Sequence, residues 1–318
     1  MQAATPAMPA VPAPDLAVEL CGVRLPTPVL VASGCFGFGR EMARFLDLAQ
    51  LGAVVTKSVS LEPRLGRPTP RMAETPAGML NAIGLQNPGV AAFRVGELPF
   101  LAEAGARVVA SIVGRSAEEF GRVAEQLAGE HAVTLLEVNL SCPNVDHRGE
   151  LFATDPAAAA SVIRAVKAVA GQPVLAKLTA DVTDLVAVAR AVVDAGADGL
   201  TLINTLLGMA VDVRRRRPKL AAVTGGLSGP AIRPVALRCV WQVAKALPGV
   251  PIVGTGGIIS AHDAAEFLLV GATAVAVGTA NFVNPRAPLE VTEGLRHYLA
   301  EQGVATVAEL PALFKAER

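Results

Sequence analysis

The chain is poor in aromatic residues and in histidine, and this scarcity limits what it can be. Aromatic residues make up 4% of the 318 residues, with one Trp and one Tyr, and there are four histidines. Hydrophobic residues still reach 52%, and there are 30 glycines. This composition excludes a disordered chain and indicates aliphatic strands covered by helices with small side chains. The length fits one large domain or two small ones.

An excess of charge of one sign is also absent. The 28 Lys and Arg residues balance the 28 Asp and Glu residues, so the sequence predicts no nucleic-acid partner. The four arginines at 214–217 are the local exception, and such a run is either a solvated surface loop or a docking patch. No stretch of about eighteen or more residues is uninterruptedly apolar, so we expect no membrane span.

Cysteines are few and widely separated. Cys21, Cys35, Cys142 and Cys239 show neither disulfide-framework nor metal-ligand spacing, which favours a reducing, cytoplasmic setting. Residues 1–14 are rich in Ala and Pro and lack a positive segment followed by an apolar core. We expect a disordered tail there rather than a signal peptide, and a single domain over residues 15–318.

Strand-like and helix-like patterns alternate along this domain. A short hairpin around Gly22, at residues 18–25, is predicted to cap one end of the fold. Eight strand-like runs follow, at residues 29–32, 53–57, 107–113, 135–140, 174–178, 199–204, 252–254 and 274–278. Helical patterns lie at residues 40–51, 117–128, 155–169, 184–195, 232–246 and 261–270, several of them after a capping residue such as Ser116, Thr154 or Ser260.

Eight strands joined by helices predict an α/β fold of the (β/α)8, or TIM barrel, type. A doubly wound open sheet is the alternative. That fold typically carries a glycine-rich turn of the G-x-G-x-x-G form after its first strand, and no such turn follows residues 29–32.

Polar residues at the ends of these runs indicate a ligand site. In a parallel barrel, chemistry takes place at the carboxyl ends of the strands. Lys57, Lys177, Asn139 and Asn204 all stand there. Because buried ammonium and amide groups need partners to offset their desolvation, we expect this rim to bind an anionic ligand.

Two glycine-containing pairs narrow the ligand further. Gly256-Gly257 and Gly278-Thr279 follow the seventh and eighth runs, where many such barrels bind phosphate through backbone amides. Glycine lets the main chain approach phosphate oxygens closely. Either pair alone could simply begin a helix, but the two together predict a phosphorylated cofactor.

Cys142 is the main candidate for chemistry. It follows the apolar run 134–138 and lies between Asn139 and Asn144. A thiol at the end of a buried strand can be a nucleophile, a base, a metal ligand or an inert core residue. No second Cys or His lies at metal-ligand spacing, which argues against the metal, while His147 could activate a nucleophile.

Five segments together resemble class 1 dihydroorotate dehydrogenases. They are Asn-Leu-Ser-Cys-Pro-Asn at 139–144, Asn-Ala-Ile-Gly-Leu-Gln-Asn at 81–87, Thr-Lys-Ser at 56–58, Asn-Thr-Leu-Leu-Gly-Met at 204–209 and Thr-Gly-Gly-Leu-Ser-Gly-Pro at 224–230. The likeness extends from about residue 18 to residue 285. A cysteine at position 142 is similar to class 1, because the membrane-associated class 2 has serine there and an N-terminal extension. The stretches 144–149 and 204–230 resemble the 1B subtype.

The resemblance implies an FMN-containing barrel, with one FMN per chain, that oxidises dihydroorotate to orotate in pyrimidine synthesis. The 1B subtype passes electrons to NAD through a separate subunit carrying FAD and a 2Fe-2S cluster, around a homodimeric core within a heterotetramer. This chain has no FAD-type fingerprint and no four clustered cysteines. Both groups are therefore expected on the partner.

The resemblance also assigns roles to single residues. Cys142 matches the base that takes the C5 proton of dihydroorotate while C6 gives hydride to flavin N5. The positions matching substrate contacts are Lys57, Asn81, Ala82, Ile83, Gly84, Leu85, Asn139, Asn144, Asn204 and Thr205. The positions matching FMN contacts are Ser33, Lys57, Ser58, Ser111, Asn139, Lys177, Ile203, Gly229, Gly256, Gly257, Gly278 and Thr279. Ser111 stands where the family often has asparagine, so we expect altered flavin contacts with binding retained.

Other functions remain as alternatives at this point. A barrel lyase or isomerase acting on a phosphorylated sugar would share the phosphate glycines, but it would be colourless whereas a flavoprotein is yellow. A non-catalytic module could retain the fold, although Cys142, Lys57 and Asn139 argue against it. The nearest flavin-dependent competitor is the class 1A homodimer, which uses fumarate and needs no second subunit.

Overall fold

The structure, a computed structural model, describes residues 13–140 and 152–315. Apart from Ala13 and Pro14, the predicted tail over residues 1–14 lies outside the described residues. The carbonyl oxygen of Pro14 accepts a hydrogen bond from the Arg296 guanidinium at 3.2 Å.

The strands of the described chain fall into a hairpin, a barrel and two further antiparallel sheets. In chain order they are β1 (Val18–Leu20), β2 (Val23–Leu25), β3 (Val29–Val31), β4 (Val54–Val55), β5 (Met72–Thr75), β6 (Gly78–Asn81), β7 (Val108–Ile112), β8 (Val133–Asn139), β9 (Val174–Leu178), β10 (Gly199–Leu202), β11 (Leu206–Met209), β12 (Val211–Asp212), β13 (Arg217–Pro218), β14 (Thr224–Ser228), β15 (Ile252–Thr255) and β16 (Ala274–Val277).

Eight parallel strands close into a barrel in the order β10-β15-β16-β3-β4-β7-β8-β9. Each overlaps one of the eight predicted runs, which confirms the TIM barrel. Closure comes from the pairing of β16 with β3, in which Val275 lies opposite Val29. Because this pairing joins the last barrel strand to the first, the barrel has no free edge, and the open-sheet alternative is wrong.

The helices lie between and after the barrel strands. In chain order they are α1 (Val90–Ala92), α2 (Leu98–Glu103), α3 (Ala117–Leu127), α4 (Pro156–Lys167), α5 (Leu185–Asp194), α6 (Arg233–Ala246), α7 (Ala261–Leu269), α8 (Ala280–Val283), α9 (Ala287–Gln302) and α10 (Leu310–Leu313). A π-helical segment, Phe93–Glu97, joins α1 to α2. None of the helices in the two described ranges is long and apolar enough to cross a membrane.

The predicted helix over residues 40–51 is wrong. The structure has two 3-10 turns there, Met42–Arg44 and Leu48–Gln50. Leu46 and Leu48 are both buried, and residues two apart do not share one face of an α-helix. Asp47 between the turns is extended, and its carboxylate accepts a hydrogen bond from the Ala49 amide at 3.0 Å, which starts the second turn.

The predicted capping residues are confirmed at two positions of three. Ser116 caps α3 and Ser260 caps α7, each with its hydroxyl accepting a backbone N–H. Thr154 is wrong by one residue, because Asp155 caps α4 and accepts the Ala157 amide at 2.9 Å. Pro156 at the first helical position fits, since proline lacks the N–H that a first turn leaves unpaired.

The predicted N-terminal hairpin is confirmed as β1 and β2, with Leu20 and Leu25 fully buried. It covers the amino-terminal end of the barrel. The Cys21 sulfur lies only 2.7 Å from where a Cβ on Gly199, the first residue of β10, would stand. The hairpin therefore closes the end of the barrel that is remote from the predicted site.

A four-stranded antiparallel sheet, in the order β11-β14-β6-β5, was not predicted. Its strands come from the segments that follow β4 and β10, so it stands over the carboxyl ends of the barrel. It has a small core of its own, formed by Leu80, Ala82 and Leu220. We call it the upper sheet.

Gly78 makes the closest backbone approach in the upper sheet. A Cβ placed on Gly78 would lie 1.9 Å from the Ser228 carbonyl oxygen, so any side chain would force β6 away from β14. We predict that Gly78→Ala lowers the thermal unfolding midpoint, by the several degrees that accompany about 1–3 kcal/mol of overpacking. Gly129→Ala, where nothing lies within 4 Å of the new Cβ, is the matched control. Equal midpoints for the two variants would contradict the prediction.

Candidate active site

Predicted residues from five parts of the chain form one hydrogen-bonded row at the carboxyl end of the barrel. The Ser58 hydroxyl is its centre, lying 3.4 Å from the Ser33 hydroxyl and 2.9 Å from that of Ser111. Asn139 donates its amide to Ser58 at 3.2 Å, and Asn204 donates to the Asn139 side-chain oxygen at 3.3 Å. The row joins residues from or beside β3, β4, β7, β8 and β10, which follow one another around the barrel with only β9 between the last two.

Ser111 lies within β7 rather than after it and is fully buried. Its amide donates to the Thr56 hydroxyl at 3.2 Å, and its own hydroxyl meets Ser58. Ser111 thus contacts Ser58, which is itself a predicted cofactor residue. Whether it alters the contacts to a cofactor stays a prediction.

The two predicted lysines approach the same point from different strands. Burial raises the pKa of the Cys35 thiol, while the nearby Lys177 and Lys57 ammonium groups act in the opposite direction. A Cβ on Gly34 would lie 4.0 Å from the Lys57 Nζ. Lys177 also forms a buried ion pair with Glu137, at 3.6 Å between Nζ and Oε1. Two cations on one rim fit the expected anionic ligand.

Backbone conformation and packing both require glycine at positions 256 and 257. Their φ angles of 135° and 77° lie in the region that favours glycine. A Cβ on Gly257 would lie 2.8 Å from the Arg233 Cβ and 2.9 Å from the Gly229 carbonyl oxygen. The turn interpretation therefore explains this pair on its own.

Gly278 differs, because its packing does not require glycine. A Cβ there would meet Ala32 and Cys35 at 3.6 Å, which is ordinary contact. Next to it, Thr279 donates its hydroxyl to the Ser228 hydroxyl at 2.8 Å. Gly278 and Thr279 are both half-buried at this end of the rim.

Arg233, which is not among the predicted site residues, fixes the loop around Gly257. Its guanidinium pairs with Asp263 and, at 3.1 Å, with Glu266. Asp263 also accepts the backbone amides of Ile259 and Ser260 at 2.9 and 2.8 Å. Because both carboxylates are on α7, Arg233 ties the start of α6 to that helix and serves the loop's geometry.

The predicted substrate segments meet at β14. Asn81 donates its amide to the Gly226 carbonyl at 3.4 Å, and a Cβ on Gly226 would lie 2.1 Å from the Thr205 hydroxyl. Asn204 accepts the Thr205 amide at 2.8 Å. The end of β6 and the residues after β10 thus border the same short stretch of strand.

The remaining predicted residues of this region occupy the loop after Asn81 and the end of β10. Ala82 and Leu85 are buried, and Ile83 accepts the Arg67 amide at 3.0 Å through its carbonyl. Gly84 has a positive φ of 77°. Ile203 is buried and donates its amide to the Thr255 carbonyl at 3.0 Å, which ties it to β15.

Cys142, Asn144 and His147 lie outside the described residues. Asn139 and Leu140 are the last residues described before them. The roles assigned to these three residues therefore stay predictions. Among the residues that are described, no three His, Cys, Asp or Glu side chains are grouped so that they could hold a metal ion.

Comparison with known proteins places the chain in a family. A sequence model of dihydroorotate dehydrogenase matches residues 15–299. The chain belongs to the dihydroorotate dehydrogenase family.

Curated relatives of this family support the B subtype. A protein of Geotalea daltonii is 54% identical over 302 residues, covering 95% of this chain and 99% of the relative. A protein of Geotalea uraniireducens is 54% identical over 297 residues, covering 93% and 97%, and one of Geobacter sulfurreducens is 51% identical with the same coverage. All three are named dihydroorotate dehydrogenase B (NAD(+)), catalytic subunit. The predicted resemblance to class 1B is confirmed, and the family is flavin-dependent.

The described cysteines are poor nucleophiles, which gives a test of thiol reactivity. Burial, with Asp198 in addition, raises the pKa of Cys21 to about 12, and burial raises the pKa of both Cys35 and Cys239. Since the thiolate is the reactive form, a raised pKa leaves little thiolate at pH 8. We predict that iodoacetamide at pH 8 leaves these three unmodified in the native protein, as read by peptide mass spectrometry.

The same reagent in urea is the control, because unfolding removes the burial and all the thiols then react. The sign of the pH dependence follows from the raised pKa values. Alkylation of Cys21 in the native protein should increase only as the pH rises toward 12. Native alkylation of Cys35 at its urea rate would contradict the prediction.

Proposed function

We propose that this chain is the catalytic subunit of an NAD-linked dihydroorotate dehydrogenase, and that it oxidises dihydroorotate to orotate at the carboxyl end of its barrel. The observation that carries the proposal is the hydrogen-bonded row from Ser33 through Ser58 and Asn139 to Asn204. It joins predicted cofactor residues to predicted substrate residues without a break. Family membership and relatives named as NAD(+) catalytic subunits support the same activity.

The residues present fit one FMN. The hydroxyls of Ser33, Ser58 and Ser111 and the Lys177 ammonium would hold the ring system, and the backbone at Gly278 and Thr279, with Gly256 and Gly257, would hold the phosphate. The features that fit it are Gly278, where packing does not require glycine, and the cationic rim. When bound, FMN supplies the hydride acceptor of the reaction. Glycines after the last two strands suit phosphate binding in such barrels.

The substrate carries a carboxylate and an imide and therefore needs a cation with several amide partners. Lys57 supplies positive charge, and the side-chain amides of Asn81, Asn139 and Asn204 both donate and accept. Asn139 lies between Ser58 and Asn204, so the one residue can orient substrate against cofactor. Holding two reactants in this way removes much of the entropic cost of their encounter.

Cys142 is assigned as the base that removes the C5 proton. A free thiol has a pKa of about 8.5, and only the thiolate can accept a proton. The neighbouring Asn144 completes the assigned substrate contacts. His147 remains the alternative base.

Electrons must leave the chain through a partner. A 2Fe-2S cluster needs four ligands close together, usually cysteines. The sequence has four cysteines in all, but Cys21, Cys35 and Cys239 are free and lie in different parts of the fold, so they cannot hold a cluster. We infer that FAD and the cluster belong to a second subunit, around a homodimeric core in a heterotetramer. Relatives named NAD(+) enzymes favour this over the fumarate-using alternative.

The side chains beside Thr279 are a surface that such a partner could cover. Ile259, Phe282 and Val283 are 52%, 53% and 88% exposed, and a groove of about 860 Å³ runs between them and β5. Contiguous exposed apolar side chains commonly mark protein interfaces. This surface adjoins the proposed phosphate end of the cofactor site.

Anaerobic mixing with dihydroorotate tests the proposed chemistry. The FMN-loaded chain should lose its yellow absorbance within the stopped-flow time range. Cys142→Ala should bind FMN and orotate as the parent does, because neither contact needs the sulfur, and should slow bleaching about 100- to 10,000-fold, as expected for loss of a general base.

Cys21→Ala is the matched control, since Cys21 lies in the hairpin at the opposite end of the barrel. It should bleach at the parent rate. In the parent, the rate should rise with pH as thiolate forms. Full-speed bleaching by Cys142→Ala with the same pH dependence would transfer the assignment to His147, and a parent that never bleaches would refute the proposed function.

The need for a partner gives a separate prediction. The purified chain should reduce a dye acceptor with dihydroorotate but leave NAD unreduced, and co-expression with the electron-transfer subunit of the same source should restore NADH formation at 340 nm. Fumarate reduction by the isolated chain, at a rate comparable to that of the dye, would instead favour the homodimeric alternative.

A further inference from the structure

A carboxylate lies inside the barrel where packing does not call for one. Glu137 on β8 is 1% exposed. Its neighbours in the strand are Leu135, Leu136 and Val138, all fully buried. The interior of such barrels is dominated by branched aliphatic side chains. An apolar residue would therefore fill this position at no electrostatic cost.

Glu137 pairs with Lys177, but the pair is incomplete. Its Oε1 lies 3.6 Å from the Lys177 Nζ, beyond a good hydrogen bond, and that oxygen has no hydrogen-bond partner among the described residues. Both side chains are almost fully buried, at 2% and 7% exposure. A buried charge is costly unless it is paired and hydrogen-bonded, so this arrangement is unfavourable for stability alone.

The position of the pair links it to the proposed cofactor site. In the barrel, Glu137 lies opposite Ser111 on β7, and Lys177 lies opposite Asn139 on β8. Ser111 and Asn139 both contact Ser58. Lys57, which faces the same space beside Cys35, is the second cation of the rim.

We propose that Glu137 is a positioning residue that partly neutralises Lys177 and thereby sets the reduction potential of the bound flavin. This inference rests on the proposed function, because it requires FMN beside Lys177. An ammonium next to the ring stabilises the negative charge that the flavin gains when it takes up two electrons. A carboxylate 3.6 Å from that ammonium offsets part of this effect, and the weakly polar interior strengthens both interactions.

The sign of the effect follows from the charges. In Glu137→Gln the Lys177 charge loses its counterion, so the reduced flavin is stabilised and the potential rises. We expect about a tenfold shift of the equilibrium toward reduced flavin, which is about 30 mV for a two-electron couple. Glu137→Asp keeps the negative charge but places it further from the Lys177 ammonium, so it should raise the potential by a smaller amount.

Thr201→Val is the matched control. Thr201 is 1% exposed, lies opposite Lys177 on the next strand, and its hydroxyl also has no hydrogen-bond partner among the described residues. The substitution removes a buried polar group of the same interior without changing the charge. Its potential should equal that of the parent.

The measurement is the flavin midpoint potential of the FMN-loaded chain, by equilibration with a reference dye, alongside the FMN dissociation constant. A double variant, Glu137→Gln with Lys177→Met, tests whether Glu137 acts through the lysine. Because the double variant lacks both charges, its midpoint potential should be lower than that of Glu137→Gln. A purely structural role would lower unfolding temperature or FMN affinity and leave the potential unmoved.

An unchanged potential in Glu137→Gln, or an equal rise in Thr201→Val, would overturn the inference. Where Glu137→Gln fails to fold, Glu137→Asp decides, and an unshifted potential there overturns it equally. The behaviour of the unmodified parent distinguishes a failure of the Glu137 inference from a failure of the proposed function. A parent that binds FMN and bleaches with dihydroorotate, beside an unshifted Glu137→Gln, refutes the role of Glu137 alone, whereas a parent that takes up no FMN refutes both.

Discussion

The pairing of β16 with β3 is the contact on which the site depends. Val275, Ala276 and Val277 lie opposite Val29, Leu30 and Val31, and this register closes eight strands into one ring. Closure brings Gly278, which follows β16, beside Ala32 and Cys35, which follow β3, so that a Cβ on Gly278 would lie 3.6 Å from both side chains. Without it, the proposed phosphate end at Gly278 and Thr279 would be separated from the hydrogen-bonded row that begins at Ser33.

The buried polar groups of this barrel are concentrated at the carboxyl ends of its strands. The lower interior and the hairpin end are filled by residues such as Leu20, Leu25 and Val54, all fully buried. Toward the carboxyl end the strands carry Glu137, Lys177 and Thr201 instead. Aliphatic packing thus supplies the stability that buried polar groups without a hydrogen-bond partner among the described residues, here the Glu137 Oε1 and the Thr201 hydroxyl, would not. The charged end is free to be arranged for a ligand rather than for the fold.

The sequence predicts what repeats and misses what does not. Eight apolar runs with helical patterns between them specify the barrel, because a buried strand reads the same wherever it occurs. The upper sheet has short strands such as Gly78–Asn81 with a half-buried pattern, which carry little periodicity. The predicted helix over residues 40–51 was wrong because the segment has the composition of a helix but not its spacing, since the buried Leu46 and Leu48 are only two residues apart.

The same distinction holds within the site. Residues within the quoted motifs, such as Ser58, Asn139 and the 204–205 pair, were predicted from the sequence, and the structure brings them together. Glu137 stood within an apolar run, and a single charge there was the one available signal. Arg233 had none, because its two carboxylate partners, Asp263 and Glu266, lie about thirty residues further on. Partners chosen by tertiary folding leave no local pattern.

The upper sheet joins the two halves of the rim. This role explains why its short strands approach their neighbours so closely at Gly78 and Gly226. Its strand β14 meets the proposed substrate side through Gly226, beside Asn81 and Thr205, and the proposed phosphate side through Ser228, whose hydroxyl accepts a hydrogen bond from Thr279. A reaction between two bound molecules is sensitive to errors of about 1 Å in their placement. A single strand that contacts both halves fixes their separation directly, whereas separate loops would each add their own motion. Glycines at these contacts let the backbones come close enough for that strand to serve both.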